Sequence, residues 1–199
     1  MTTIIRIPLI LLALCITNAT QAASDKQHLF GLGIAFNTGE RLATIDGRAT
    51  FVGGTFGVFY GQAISLNKYF EAEGHIGFRE SGDLFGNPRI SFYTFPVDVL
   101  VFSKLGKLRA GAGLTYHLFP RYQIKVQNDA DGTLEFNSPL GFQLQLDYAL
   151  SEHHRLALRY EKISYGSDEQ LYWHDEYGGR QPVDEISGTN TSLVFQHNF

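Results

Sequence analysis

Cysteine is nearly absent from this chain: Cys15 is the only one in 199 residues. The residues after position 22 therefore contain no thiol, which excludes a disulfide framework and a zinc site with thiolate ligands there. A lipoprotein acylated at Cys15 is disfavoured, because Leu14 is bulky where such sites have a small residue. Positive charge is not in excess either, since 16 Lys and Arg face 20 Asp and Glu. Nucleic-acid binding needs a basic patch, so no nucleic-acid partner is predicted.

Long apolar runs are also missing after residue 22. No such segment approaches the roughly 20 residues that a membrane-spanning helix needs. Aromatic residues and glycine are plentiful instead, with 16 Phe, 10 Tyr and 21 Gly. When these residues occur in short alternating runs, the composition is typical of an all-β chain.

The first residues have the features of a secretory signal peptide. Arg6 precedes an apolar run from Ile7 to Ile16, and the residues at 20–22, Thr-Gln-Ala, fit a small-x-small cleavage site. We therefore predict a cleaved signal peptide over residues 1–22. The remaining residues, 23–199, are enough for one domain.

Eight segments alternate between apolar residues and small or polar ones. Their period of two predicts β-strands, because an α-helix repeats near 3.6 residues. The segments are HLFGLGIAF, FVGGTFGVFYGQAIS, YFEAEGHIGFR, FYTFPVDVLVF, LRAGAGLTYHL, GFQLQLDYAL, RLALRYEKI and TSLVFQHNF. In the last one, Leu193, Phe195 and Phe199 share one face, while Val194 and Gln196 share the other.

The apolar faces are long and aromatic, and the opposite faces carry Gly, Ala and a few charges. Because a soluble sheet needs a polar face, the apolar faces, with Val52 and Phe56 in the second segment, are predicted to meet lipid. Closure of the sheet would satisfy its backbone hydrogen bonds inside a membrane. We predict an all-β fold, an eight-stranded antiparallel up-and-down transmembrane β-barrel with a side-chain-filled lumen. Pro96 cannot donate to the ladder and predicts a bulge or bend.

The connections between these segments alternate between short and long. Short turns follow the second, fourth and sixth segments, and long loops follow the first, third, fifth and seventh. The long loops are Asn37–Thr50, Glu80–Ile90, Phe119–Pro139 and Ser164–Gly188. Short turns on one side and long loops on the other are typical of outer-membrane barrels.

The segments ISLNKYFEAEGHIGF, LRAGAGLTYHL and LALRYEKI resemble the small outer-membrane β-barrel proteins of Gram-negative bacteria, which include virulence-related and opacity-type barrels. The resemblance implies an integral outer-membrane location, with outer-membrane lipid and lipopolysaccharide as neighbours. It also implies insertion by the barrel-assembly machinery, with Leu193, Phe195 and Phe199 as the C-terminal assembly signal. His197 departs from the fully apolar pattern of that signal.

Charged residues on the inward faces are the first candidate functional site. They are Glu71, Glu73, Asp98, Arg109, Asp147, Arg159 and Glu161. Because a buried charge is costly unless paired, we predict an ion-pair network in the lumen, with Arg109 between Asp98 and Asp147. A proton or ion pathway is the alternative. His75 and His117 also point inward and are interpreted as hydrogen-bonded residues rather than metal ligands or bases. No catalytic residue, metal site or cofactor is predicted.

Two other segments suggest alternatives for the function. RYEKISYG resembles the His-x-Ser neighbourhood of lipid A deacylases, with Ser164 in the serine position but Lys162 in place of the histidine base. A lipid A-modifying enzyme is therefore one alternative, and a small transport or ion-conducting barrel is another. The favoured function is non-enzymatic, in envelope structure or surface interaction. Tyr172, Trp173 and Tyr177 in the fourth long loop are possible recognition residues for an extracellular partner.

Overall fold

The computed structural model describes residues 26–37, 41–45, 48–82, 89–125, 132–174 and 180–199, so the predicted signal peptide lies outside the described residues. These ranges contain no helix that is long and apolar enough to cross a membrane. Their regular structure is β-strand. The strands are β1 (Lys26–Asn37), β2 (Arg41–Ile45), β3 (Arg48–Phe51), β4 (Phe56–Ser65), β5 (Phe70–Gly82), β6 (Arg89–Leu105), β7 (Leu108–Lys125), β8 (Gly132–Glu135), β9 (Leu140–Ala149), β10 (His154–Lys162), β11 (Ser164–His174), β12 (Arg180–Ser187) and β13 (Asn190–Asn198).

Eight of these strands form one closed antiparallel barrel. Around the barrel their order is β1, β4, β5, β6, β7, β9, β10 and β13, and β13 pairs back with β1. At this closure Leu32 lies opposite Phe195, and Gly33 lies opposite Val194. The eight-stranded up-and-down barrel predicted from the alternation is thereby confirmed.

The two faces of each barrel strand meet different surroundings. On β13, Leu193 and Phe195 are exposed on the outside, as is Phe199 directly after it, while Val194 and Gln196 are buried in the interior. The same alternation on the other strands produces an outer belt of exposed apolar side chains. Such a belt is the surface that a membrane barrel presents to lipid.

The four long connections are largely β-hairpins rather than the predicted loops. β2 pairs with β3, β7 continues to Lys125 and pairs with β8, and β11 pairs with β12. β5 and β6 also extend, to Gly82 and from Arg89. We call this side of the barrel the hairpin end and the opposite side the short-turn end. The hairpins lack the apolar alternation of the barrel strands, which is why sequence periodicity did not reveal them.

Val52 is not on the lipid-facing side, so the prediction for this residue is wrong. It is fully buried in an apolar cluster at the hairpin end. Gly53 and Gly54 follow it with φ angles of 97° and 85°, a left-handed conformation that favours glycine. The chain turns at these glycines, and the barrel strand β4 begins only at Phe56.

The irregularity predicted near Pro96 is present. The register between β6 and β7 shifts after Tyr93 and resumes at Phe95, next to the proline. On the opposite strand, Phe119 has a φ of 50°, which is uncommon for a residue other than glycine. Two residue steps on β6 face three on β7, so the extra residue lies on β7 between Leu118 and Arg121, which is a β-bulge.

Candidate functional site in the barrel interior

Arg109 on β7 is the centre of a buried ion-pair cluster near the short-turn end. Its Nε donates to Asp147 Oδ2 at 2.5 Å, and its Nη1 forms ion pairs with Glu71 and Glu73 on β5. Its Nη2 donates to Gln196 Oε1 on β13 at 3.2 Å. All five side chains are buried. The fork of guanidinium donors allows one residue to hold carboxylates from several strands.

Two further cations balance the carboxylates of this cluster. Lys104 Nζ lies 3.7 Å from Glu71 Oε2, and Arg155 Nη1 lies 3.7 Å from Glu71 Oε1. Both side chains are more exposed than Arg109, which places them toward the solvent at the short-turn end. With Arg109 they match the charges of Glu71, Glu73 and Asp147, and this balance reduces the cost of burying them.

A second ion-pair cluster lies between the first and the hairpin end. Arg159 Nη1 is 3.2 Å from Asp98 Oδ2, and Arg79 Nη1 donates to Glu161 Oε1 at 2.6 Å. Arg79 on β5 and Glu161 on β10 belong to strands at opposite positions in the circular strand order. This ion pair therefore crosses the barrel from wall to wall.

A histidine connects the two clusters along the barrel, and a glutamine joins the two ion pairs of the second cluster. His75 Nε2 lies 3.0 Å from Glu73 Oε2, and its Nδ1 lies 3.7 Å from Asp98 Oδ2. Gln143 Nε2 donates to Asp98 Oδ1 at 3.1 Å and to Glu161 Oε2 at 2.7 Å. The buried polar groups thus form one connected network, in which the removal of one member affects several others.

Aromatic rings fill space beside the charged residues. Phe102 and Phe59 point into the barrel and pack against Gly111 and Gly31 of neighbouring strands, where a β-carbon would overlap the rings. The Arg109 guanidinium lies 4.1 Å from the centre of the Phe102 ring, within the range of a cation–π contact. The glycines therefore make room for large interior side chains.

An apolar cluster, which we call the cap, closes the interior at the hairpin end. Its buried residues are Val52, Phe92, Tyr122, Phe136, Ile163 and Tyr165. The Tyr165 hydroxyl lies 2.5 Å from His117 Nδ1, and His117 Nε2 lies 3.4 Å from Glu161 Oε1. The cap is thereby linked to the second cluster. Burial raises the pKa of the Tyr122 phenol to about 12.

A cavity of about 30 Å³ remains beside the second cluster, next to the turn at Gly53 and Gly54. Its polar lining comes from Thr55, Arg79, Asp98, Arg159, Asn190 and Ser192. Arg159 Nη2 is buried there and has no hydrogen-bond partner among the residues that the structure describes. The volume suits a water molecule rather than a passing solute.

All the charged residues predicted to face the interior lie there, but their pairing differs in part from the prediction. Arg109 contacts Asp147 as expected, whereas Asp98 pairs with Arg159 instead of Arg109. Arg79 and Gln196 were not among the predicted site residues, although the alternation places both on inward faces. Their importance depends on contacts across the lumen, which strand periodicity does not reveal.

The other predicted site residues lie outside this interior. Tyr172 and Trp173 belong to β11, but their side chains, like the whole of Tyr177, lie outside the described residues. Leu193 and Phe195 lie on the outer face of β13, and Phe199 follows that strand.

A groove on the outer surface at the hairpin end contains the two residues of the deacylase-like motif. Lys162 and Ser164 are both exposed and line this groove with Glu185. Within the described part of the chain, no hydrogen bond joins the side chains of Lys162 and Ser164. The pair therefore lacks the contact that activates a serine nucleophile through an adjacent base.

A closed antiparallel barrel with an apolar belt outside and paired charges inside defines an integral outer-membrane β-barrel. The chain belongs to the outer membrane protein beta-barrel domain family, whose match covers residues 9–195. Membership places the protein in an outer membrane.

Two solved structures of small outer-membrane proteins have a similar fold. Neisserial surface protein A, NspA, aligns with a TM-score of 0.53 and 11% identity, over 89% of this chain and 99% of that chain. Ail, the attachment invasion locus protein of Yersinia pestis, aligns with a TM-score of 0.50 and 10% identity, over 87% of this chain and 97% of that chain. At such identities the likeness concerns the fold alone. No curated protein matches the sequence.

Proposed function

We propose that this protein is a non-conducting outer-membrane barrel of a Gram-negative envelope, which acts in envelope structure or surface interaction through its hairpin end. In this proposal residues 1–22 are a cleaved signal peptide, and the hairpins face the cell exterior. The observation that carries it is the combination of an interior occupied by ion pairs and the cap with hairpins that extend beyond the barrel. A barrel built in this way offers its surface, rather than its lumen, to a partner.

The hairpins are held together and so present a defined surface. The backbone N–H of Asn137 donates to the carbonyl of Gly166 at 2.8 Å, which joins the segment after β8 to β11. Ser167 Oγ also donates to the carbonyl of Glu135 at 3.0 Å. Because few degrees of freedom remain to be lost, a prearranged surface binds a partner at a lower entropic cost.

Replacement of the outer part of the β11–β12 hairpin tests the surface-interaction role. We expect that exchange of residues 168–184 for a short Gly-Ser turn leaves the barrel folded but lowers attachment of cells to surfaces coated with defined glycans or proteins. Gly166 remains paired with Glu185 in this variant. Gel mobility before and after heating would report folding. Equal attachment by both strains to every coated surface would contradict an interaction role for this hairpin.

Planar-bilayer recording tests the non-conducting interior. We expect the purified wild-type protein to give no reproducible single-channel steps, because the Arg79–Glu161 pair crosses the lumen below the cap. A general porin, inserted under the same conditions, serves as the positive control. Steps that scale in frequency with the amount of barrel added would favour the ion-conducting alternative instead.

A lipid A-modifying enzyme is the second candidate, favoured by the position of Lys162 and Ser164 together in the outer groove. Ester hydrolysis would need Ser164 as nucleophile and Lys162 as base, and the two side chains would have to approach each other on substrate binding. Mass spectra of lipid A from a deletion strain separate the two candidates. Unchanged acylation supports the non-enzymatic barrel, and an altered pattern supports the enzyme.

A further inference from the structure

The β-ladder in the wall of the protein is interrupted between β9 and β11 at the hairpin end. The pairing of β9 with β10 ends where Phe142 lies opposite Lys162. Above this point no ladder pairing joins the two segments until the hydrogen bond from Asn137 to Gly166, although Gly141 still lies close to the Lys162 carbonyl and Ile163. The outer groove, of about 690 Å³, lies between these two contacts. The groove is open to the outer surface rather than enclosed.

The groove combines an apolar part and a polar part. Leu114, Leu140 and Phe142 line it and are 53%, 63% and 42% exposed on the outer surface. Lys162 and Glu185 supply the charges. No carboxylate of the described residues forms an ion pair with Lys162, so its ammonium group is available to an anion.

The groove lies at the upper limit of the apolar belt. Along β10, Leu158 and Tyr160 are exposed to lipid, and Lys162 is the next outward-facing residue. Tyrosine and lysine are the residues that membrane proteins place at the headgroup level, with the apolar part toward the hydrocarbon. An occupant of the groove would therefore have its polar group near Lys162 and its apolar part near Phe142.

We propose that this groove binds a phosphorylated, anionic lipid of the outer leaflet. The phosphate contacts the Lys162 ammonium group, and the acyl chain lies on Leu114, Leu140 and Phe142. The Ser164 hydroxyl donates a hydrogen bond to the headgroup, while the Glu185 carboxylate accepts one from a headgroup hydroxyl. The lipid would lie in the surface groove beside the interrupted β-ladder. The site is separate from the interior network and independent of the proposed surface role.

Native mass spectrometry of the full-length barrel in detergent tests this proposal. The probes are phosphatidylglycerol and phosphatidylcholine with the same acyl chains, added at equal concentration. We expect preferential adducts with phosphatidylglycerol, and we expect Lys162→Gln to reduce that preference about five-fold, the effect of one lysine at an anionic membrane surface. Lys162→Arg should retain the preference, because it keeps the charge.

Lys107→Gln is the matched control, since Lys107 is an exposed lysine at the short-turn end. It should leave the preference unchanged. Inorganic phosphate in millimolar excess should not displace the lipid, because it lacks the acyl chain. Equal adducts with both lipids, an equal loss in Lys107→Gln, or full displacement by inorganic phosphate would each overturn the proposal. Since Lys162 is exposed, its variants should fold, and gel mobility before and after heating verifies this.

Discussion

Replacement of Arg109 by alanine is expected to lower the free energy of unfolding of the barrel by about 3–5 kcal/mol. The variant would leave Glu71, Glu73 and Asp147 buried without the guanidinium that contacts all of them. Gln196 would also lose a donor to its side-chain oxygen. The large effect arises because a buried charge without a partner keeps its full desolvation cost.

Urea unfolding in lipid vesicles, followed by circular dichroism, measures this effect. Arg121→Ala is the control, because it breaks the Arg121–Glu135 pair outside the interior network and should change the unfolding free energy little. Addition of Asp147→Asn to Arg109→Ala should recover part of the loss, since it removes one unpaired charge. If Arg109→Ala and Arg121→Ala unfold at the same urea concentration, the interior cluster does not stabilise the barrel.

Phe195→Arg is expected to lower the free energy of unfolding by about 2–4 kcal/mol, and Phe199→Arg by less. Phe195 lies within the apolar belt, opposite Leu32 on β1 and Leu156 on β10. Phe199 lies at the short-turn end, where an arginine side chain can extend to the aqueous interface. The cost of a charge on the lipid-facing side falls with its distance from the membrane midplane. Refolding into lipid vesicles at increasing urea measures both variants.

In cells, the ranking of these two variants by the amount of protein in the outer membrane should differ from their ranking by unfolding free energy, if Leu193, Phe195 and Phe199 form the proposed assembly signal. Phe199→Arg or removal of Phe199 should then lower the amount of protein in the outer membrane more than its effect on refolding predicts. Phe36→Arg is a suitable control, because Phe36 is 61% exposed at the opposite end of β1. Insertion at the wild-type level without Phe199 would contradict the signal.

The barrel strands could be predicted because lipid and lumen impose opposite requirements on alternate residues. On β13 the alternation separates Phe195 from Gln196, and the structure places these side chains outside and inside. A one-residue shift in the register of the strand would exchange its two faces. The alternation therefore also determines which face of the strand meets lipid. The closure with β1 follows, since an open edge in hydrocarbon would leave backbone groups unsatisfied.

The hairpins and the detailed pairing could not be predicted in this way. Water surrounds the hairpin end, and there the outer face of a strand need not be apolar. The contact between Arg79 and Glu161 depends on the stagger of strands on opposite sides of the barrel, which no single segment encodes. The packing of Phe59 against Gly31 likewise depends on the register between β1 and β4.

The ion pair that crosses the interior has a mechanical consequence for the protein. Arg79 and Glu161 join opposite walls, and Arg109 joins β7 to β5, β9 and β13. A hollow cylinder of the same strands could flatten into an ellipse under lateral pressure, because bending at the strand interfaces breaks no hydrogen bonds. Here flattening would separate charges in a region of low dielectric constant, which is costly. The barrel should therefore keep a circular cross-section when the surrounding lipid is compressed.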